Sequence, residues 1–188
     1  MLNQQTVLQS LAEYVPYADD DRQAAAETAR FVRDNARFGE RALDTGHVTA
    51  SAWVMDEAGE NVLLTHHAKL NLWVQLGGHL EAGDESVAAG ALREAREESG
   101  LTGVRLVSER IFDVDVHPIP ARGDLPAHFH YDLRFLCVAD AQESLQVSDE
   151  SHDVAWVALA DVPSLTGERS VLRMLAKSSA GQEKRADV

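Results

Sequence analysis

Residues 77–101 read Gly-Gly-His-Leu-Glu-Ala-Gly-Asp-Glu-Ser-Val-Ala-Ala-Gly-Ala-Leu-Arg-Glu-Ala-Arg-Glu-Glu-Ser-Gly-Leu and are the most informative segment of the chain. The glycines at its start predict a loop, and the alanine- and glutamate-rich remainder predicts a helix. Asp84 or Ser86 can cap the start of that helix, and Gly100 stands where a left-handed residue commonly ends one. The segment therefore predicts a loop that leads directly into a helix with defined ends.

Three glutamates lie close together on the predicted helix. At 3.6 residues per turn, Glu94, Glu97 and Glu98 share one face, where like charges repel one another. Mg²⁺ and Mn²⁺ prefer carboxylate oxygens, so this face predicts a divalent-cation site. The alternative is the solvated face of an amphipathic helix. The opposite face carries small or apolar residues that allow close packing against a sheet: Ala88, Ala91, Leu92, Ala95 and Ser99.

The same segment resembles the Nudix box, G-x5-E-x7-R-E-U-x-E-E-x-G-U, in which U is aliphatic. The spacing fits from Glu85 to the Gly100-Leu101 pair, although Ala95 is small for an aliphatic position. One extra residue stands between Gly78 and Glu85, and without an insertion Asp84 would take the family's glutamate position. The chain is identified as a member of the Nudix hydrolase family over about residues 46–176.

The resemblance implies an α/β fold, a Nudix-type α/β/α sandwich with a mixed central sheet. Residues 46–177 would form the Nudix domain, residues 1–45 an N-terminal helical extension and residues 178–188 a disordered tail. Alternating apolar residues predict strands at 48–55, 61–65, 73–76, 104–116, 128–138 and 153–158, and a terminal helix at 161–177. Residues 4–36 predict two helices, whose apolar stripes would pack on the sheet or on a second subunit in a homodimer.

The resemblance also implies the roles of residues in the site. Glu94, Glu97 and Glu98 would bind Mg²⁺ or Mn²⁺ together with the carbonyl of Gly77 or Gly78. Arg93 would orient a carboxylate, either Glu97 or Glu85, and Glu85 would have a water-mediated metal role or fix the loop. The family often takes a further acid from outside the box, and Glu150 is the candidate for activating water. The alternative for Glu150 is a plain acidic turn.

A second set of polar residues follows in His128-Phe129-His130-Tyr131-Asp132. In a strand, His128, His130 and Asp132 face one way while the aromatic residues face the other. We favour contact with substrate phosphate for this polar face; the alternatives are a zinc site and hydrogen bonding at a sheet edge. His79 would join this polar set or cap the glycine-rich loop. The loop at residues 118–126 is the expected specificity element.

Composition limits the function further. The 188 residues carry a formal charge of −14, which argues against bulk binding of nucleic acid. A single cysteine, Cys137, excludes an intramolecular disulfide. No apolar run approaches the ~20 residues that a membrane span needs, and the first residues lack a basic signal region. These observations predict a cytoplasmic protein.

The expected function is hydrolysis of a diphosphate linkage, in a nucleoside diphosphate derivative, with a divalent cation. One alternative is a non-catalytic ligand sensor with the Nudix fold. Another is an enzyme like isopentenyl diphosphate isomerase, which would need a catalytic cysteine near the site. Cys137 falls on the apolar face of its strand by alternation, which counts against that alternative.

Overall fold

A computed structural model of the chain describes residues 2–123, 125–149 and 151–186, the last six by their backbone alone. Its helices are α1 (Gln4–Glu13), α2 (Asp19–Asp34), α3 (Val87–Ser99), α4 (Val162–Leu165) and α5 (Arg169–Ala186). Its strands are β1 (Gly46–Asp56), β2 (Asn61–His67), β3 (Leu72–Val74), β4 (Leu76–His79), β5 (Arg105–Ile119), β6 (His128–Ala139) and β7 (Ser151–Ala158). Each predicted strand is present, but residues 73–76 are divided between β3 and β4.

The described strands form one seven-stranded sheet. Its main order is β3-β2-β1-β6-β5, while β4 pairs with β1 and β7 pairs with β2. The strands β2 and β7 pair in antiparallel register, from Asn61 opposite Ala158 to Thr65 opposite Val154. Because β1 pairs with both β4 and β6, it brings residues that are far apart in sequence onto neighbouring strands.

The chain divides into two compact units. The first contains the residues up to Ser51 together with Gly77–Ala91 and Glu109–Phe135. The second contains Ala52–Leu76, Leu92–Ser108 and the residues from Leu136 onward. The N-terminal helices therefore belong to the same unit as the glycine-rich loop.

The N-terminal helices form as their periodicity predicted. The residues at helical spacing on one face of α2 are buried: Ala24, Ala25, Thr28, Phe31 and Val32. The Phe31 ring stacks on Tyr131 of β6 with 4.1 Å between centroids, which confirms packing on the sheet. Val15 lies beyond the end of α1 at Glu13 and is 80% exposed.

The second unit has an apolar core to which the last helix contributes. The indole Nε1 of Trp53, a fully buried residue, donates to Ser178 Oγ at 2.7 Å. Ser178 is itself buried, and α5 continues to Ala186. The helix α5 thus runs past residue 177, and the domain boundary expected there stays a prediction. Residues 187 and 188 lie outside the described part of the chain.

None of the helices in the described part of the chain combines the length and the apolar character that crossing a membrane requires.

Candidate active site

The helix α3 has the ends that its sequence predicts. Ser86 Oγ accepts a hydrogen bond from the backbone N–H of Ala89 at 3.1 Å, as an N-cap does. Gly100 has φ +72° and donates its N–H to the carbonyl of Arg96 at 2.8 Å. A Cβ at Gly100 would lie 2.6 Å from Gln146 Cβ, so this position requires glycine for both conformation and space.

One face of α3 is closely packed. Ala91, Ala95 and Ser99 are each fully buried, and Ala95 belongs to the core of the second unit together with Leu101 and Val104. A larger aliphatic residue at position 95 would have to displace those neighbours. The small side chain at this position therefore fits the packing around it.

The other face of α3 carries the predicted carboxylates. Arg93 Nη1 lies 3.0 Å from Glu94 Oε1 and 2.9 Å from Glu97 Oε2, so one guanidinium contacts both carboxylates. The side chain of Glu94 is 15% exposed and that of Glu97 is 58% exposed, while Glu98 is buried. Arg93 offsets the repulsion between like charges on this face and fixes two of the carboxylates in place. Acidic oxygen ligands of this kind suit Mg²⁺ or Mn²⁺.

The loop before α3 runs very close to β1. Gly77 has φ +152°, and a Cβ there would lie 2.3 Å from Ser51 Oγ and 2.7 Å from the carbonyl oxygen of Ala50. Only glycine fits such an approach. This contact fixes where β4 ends and therefore where His79 is placed.

Asp84 holds the remainder of the loop. It is 7% exposed, and its Oδ2 accepts from the backbone N–H of Glu81 at 2.8 Å. A Cβ at Gly90 would lie 3.0 Å from Asp84 Oδ2, so the glycine makes room for this carboxylate. Glu85, in contrast, is exposed. The loop-fixing role therefore falls on Asp84.

Five histidines of the first unit lie close together, and we call them the histidine cluster: His47, His79, His117, His128 and His130. The ring of His47 lies 5.1 Å from that of His79, 5.1 Å from that of His128 and 4.7 Å from that of His130, measured between centroids. One ligand atom from each of His47, His79 and His130 lies within 4.8 Å of the other two. Three imidazoles at this separation can hold a metal ion.

Two of these histidines are neutral at ordinary pH. The pKa of His47 is lowered from 6.5 to about 4, mainly by burial and also by the charges of His128 and Arg41. The pKa of His130 is lowered to about 2, mainly by burial and also by the charges of four neighbouring histidines. A neutral imidazole keeps a lone pair for a hydrogen bond or for a metal.

A buried network of charges lies on the same strands. Asp132 Oδ1 accepts from Thr49 Oγ1 at 3.0 Å, and both its oxygens accept from Ser51 Oγ. Arg134 Nε donates to Asp132 Oδ2 at 2.7 Å. Arg134 also contacts the carboxylates of Asp113 and Asp115. Burial alone would lower the pKa of Arg134, but the three carboxylates raise it overall.

The family assignment follows from the loop, the helix and the extent of the match. A family model of the NUDIX domain matches residues 45–177, which is most of the chain. The chain belongs to the Nudix family.

Solved Nudix structures share the fold. The C. elegans Ap4A hydrolase, solved as a binary complex, is 21% identical with a TM-score of 0.58, over 73% of this chain and 98% of that one. The NUDIX domain of Shewanella oneidensis NrtR, solved with ADP ribose, is 18% identical with a TM-score of 0.54, over 78% and 95%. The E. coli dihydroneopterin triphosphate pyrophosphohydrolase is 14% identical with a TM-score of 0.52, over 68% and 91%. These likenesses confirm the predicted α/β fold.

Among proteins with curated descriptions, no sequence matches this Nudix chain.

The structure shows one of the contacts expected within the box, and the roles of the box residues stay predictions. The expected ion pair of Arg93 with Glu97 is present, and Arg93 also contacts Glu94. Gly77 lies in β4 with its Cα against Ser51, so its predicted role as a carbonyl ligand stays a prediction. Glu150 lies outside the described residues, between an exposed Asp149 and the start of β7. Its role as a base also stays a prediction.

The residues on the polar face of β6 have different surroundings, and their expected contact with substrate stays a prediction. The rings of His128 and His130 do lie together, at 5.3 Å, and His79 joins them. Asp132, expected to contact substrate, is 2% exposed and has its oxygens engaged by Thr49, Ser51 and Arg134. The reason is that the polar face continues into the sheet interior, where a carboxylate needs buried donors.

Sequence reasoning missed His47. It lies on β1 at the head of an alternating polar series, His47-x-Thr49-x-Ser51, which resembles His128-x-His130-x-Asp132 on β6. The hydroxyls of Thr49 and Ser51 meet Asp132, and the ring of His47 meets His130. The alternation of polar residues in an otherwise apolar strand was the available signal.

The segment expected to be the specificity element connects β5 to β6. Arg122 and Leu125 exchange two backbone hydrogen bonds of 3.0 and 3.1 Å, and Gly123 has φ +58°. The described residues from 121 to 127 are exposed. Their predicted role in specificity stays a prediction.

Proposed function

We propose that this Nudix protein is a divalent-cation-dependent hydrolase that cleaves a diphosphate linkage, in a nucleoside diphosphate derivative. The observation that carries the proposal is the acidic face of α3, where Arg93 contacts both Glu94 and Glu97 while Glu98 is buried beside them. A structural helix gains little from gathering carboxylates in this way, because like charges on one face destabilise it.

The residues of α3 supply ligands and position them. The proposed ligands of Mg²⁺ or Mn²⁺ are the carboxylates of Glu94, Glu97 and Glu98. The carbonyl oxygen of Gly77 would be an additional ligand. The ion supplies charge neutralisation for the phosphates and lowers the pKa of bound water. Arg93 keeps two carboxylates oriented, which lowers the cost of arranging them when the ion binds.

Two further roles complete the proposed site. Glu150 would accept a proton from the attacking water, because carboxylates outside the helix are free of the ligand role. His128 would contact substrate phosphate, since its ring is partly exposed and its Nδ1 lies 2.9 Å from the carbonyl oxygen of Pro126. That hydrogen bond fixes the ring and directs Nε2 elsewhere. We do not include Asp132 among the substrate-binding residues, because its carboxylate oxygens accept hydrogen bonds from Thr49, Ser51 and Arg134.

The isomerase alternative loses its support. Cys137 is fully buried in the core of the second unit. Burial raises the pKa of its thiol to about 12, so the reactive thiolate is absent at neutral pH. The sensor alternative predicts ligand binding without turnover, and the same experiment that tests hydrolysis separates it.

The test is a substrate screen with each metal. The full chain is incubated with Mg²⁺ or Mn²⁺ and with nucleotide sugars, dinucleoside polyphosphates, ADP-ribose, NADH or nucleoside triphosphates, and the phosphate-containing products are identified. We expect cleavage of a diphosphate linkage in at least one class, and loss of it in a Glu98→Gln variant. Binding of a nucleotide with no product under either metal would contradict the proposal and favour the sensor.

A further inference from the structure

The histidine cluster is built on three neighbouring strands. His47 lies on β1, His79 ends β4 and His130 lies on β6, and β1 pairs with both of the others. Strands hold side chains more precisely than loops do. The backbone positions of the three histidines are therefore fixed. Rotation of their side chains sets the distances between the ring nitrogens.

The ring nitrogens of two members of the cluster lack ordinary partners. His47 is 2% exposed, yet neither its Nδ1 nor its Nε2 has a hydrogen-bond partner among the described residues. His130 Nε2 is also buried without a partner among them. Buried polar atoms are nearly always hydrogen-bonded, because an unsatisfied one costs about 1–3 kcal/mol. Three such nitrogens in one place indicate that something else satisfies them.

A transition-metal ion matches this arrangement in size. The ligand atoms of His47, His79 and His130 lie within 4.8 Å of one another. Zn–N bonds of about 2.0–2.1 Å in a tetrahedron place the nitrogens roughly 3.3 Å apart. Small rotations of the side chains would bring the ligand atoms from the separation in the structure to the separation that zinc requires. Imidazole ligands suit zinc, copper, iron or nickel, whereas Mg²⁺ requires oxygen.

The remaining histidines surround the three ligands with oriented groups. His117 Nδ1 lies 3.0 Å from Asp115 Oδ2, and its ring lies 5.5 Å from that of His130. Asp115 in turn contacts Arg134. These contacts hold the ring of His117 in place beside His130.

We infer that His47, His79 and His130 form a site for one transition-metal ion of the zinc class, with a fourth position left for water or for a further ligand. For His79 and His130 this assignment takes the metal-site alternative in place of the expected contact with substrate. The ligands of this site differ from the carboxylates of α3, so the two sites take different metals. The site stands independently of the proposed hydrolysis, since its evidence is the arrangement of the imidazoles alone.

The test measures zinc alone on the full chain, prepared without a polyhistidine tag and stripped with a chelator. Bound metal is counted after equilibrium dialysis, and the visible spectrum of the Co²⁺ form reports the coordination. We expect about one Zn²⁺ per chain, a Co²⁺ spectrum of tetrahedral type and a higher Tm with zinc. His130→Gln and His79→Gln should each weaken binding by about 100-fold or more.

Two control variants show whether the zinc belongs to the cluster. His66→Gln/His152→Gln removes two histidines whose rings lie 5.3 Å apart outside the cluster, and it should bind zinc as the wild type does. Glu98→Gln should also keep the zinc. His79 is only partly buried, so His79→Gln keeps the test valid if His130→Gln fails to fold, as judged by circular dichroism.

Three results would overturn the inference. The first is a wild-type chain that stays metal-free with equimolar zinc, in which case water or substrate would satisfy the buried nitrogens. The second is unchanged zinc binding in the folded His79→Gln and His130→Gln variants. The third is loss of zinc in Glu98→Gln, which would assign the ion to α3. None of these outcomes depends on whether a hydrolysed substrate has been found.

Discussion

The carboxylates of α3 and the histidine cluster both gather metal-ligating side chains, but the chain brings them together in different ways. Glu94, Glu97 and Glu98 are neighbours within a single helix. His47, His79 and His130 come from three strands and are separated by up to 83 positions, the difference between 130 and 47. The first set depends on local structure, whereas the second exists only when the sheet is assembled.

This difference has a consequence for energetics. The acidic face of α3 would exist in any helix with this sequence, and Arg93 compensates its repulsion from within the same turn. The histidine cluster instead buries imidazoles whose nitrogens the described part of the sheet does not satisfy. The packing of the first unit offsets the free-energy cost of these unsatisfied nitrogens. Metal binding at the histidine cluster should therefore raise the free energy of unfolding more than metal binding at α3 does.

The largest effect is expected for the carboxylates of α3. Glu97→Gln and Glu98→Gln should each abolish turnover while the fold stays intact, because each keeps the shape of the side chain and loses its charge. The measurement is kcat with saturating Mg²⁺, beside a circular dichroism spectrum. Glu40→Gln, which removes an exposed carboxylate paired with Arg37, is the matched control and should be silent.

Retention of more than about a tenth of the wild-type kcat, which corresponds to less than ~1.4 kcal/mol, would contradict this prediction. The carboxylates of α3 would then be a solvated charged face and not metal ligands, unlike the histidines of the cluster.

The next effect concerns Glu150. If Glu150 activates the attacking water, Glu150→Gln should lower kcat by about 10²–10⁴ with little change in the affinity for Mg²⁺. Asp149→Asn is the matched control one position away, on an exposed residue. Damage from Asp149→Asn together with a silent Glu150→Gln would move the base to Asp149.

The two regions also show how far the sequence predicts this protein. The box, its Ser86 cap and its Gly100 end were predictable because each depends on residues within one or two turns. The strand positions followed from alternation. The role of Asp84 was not predictable, since it depends on burial within a loop that has an extra residue.

What escaped prediction was mostly non-local. Alternation placed His128 and His130 on one face, but no local rule pairs that face with His47 on β1. Asp132 continues the same alternation but has different surroundings, because Arg134, Thr49 and Ser51 contact it in the interior. These outcomes depend on which strands become neighbours, and the spacing within each strand does not contain that information.

A third effect is a pH dependence of the stability of the metal-free protein. His47 and His130 titrate near 6.5 when unfolded, while burial lowers their folded pKa values to about 4 and about 2. Below pH 6.5 these two histidines bind protons in the unfolded chain but stay neutral in the folded chain. The free energy of unfolding therefore falls as the pH falls. At about pH 5 the expected loss is about 2 kcal/mol for each histidine.

Denaturant unfolding of the chelator-treated protein at about pH 7.5 and about pH 5 measures this loss. A folded His47→Gln/His130→Gln variant should lose correspondingly less stability over the same interval, with other groups cancelling between the two proteins. Equal losses would show that these imidazoles are not buried as the cluster requires.

The smallest effect tests how local the α3 ligand set is. Ser86 Oγ accepts from the N–H of Ala89, and replacing such a cap by alanine costs about 1 kcal/mol. Ser86→Ala should therefore lower the free energy of unfolding by about that amount, while kcat changes by less than about twofold because the carboxylates lie further along the helix. Ser10→Ala, inside α1, is the matched control and should be neutral or slightly stabilising, since alanine favours helix interiors. A large loss of kcat in Ser86→Ala would show that the positions of the carboxylates depend on the loop as well as on the helix. The carboxylates, like the histidine cluster, would then depend on structure beyond a single helix.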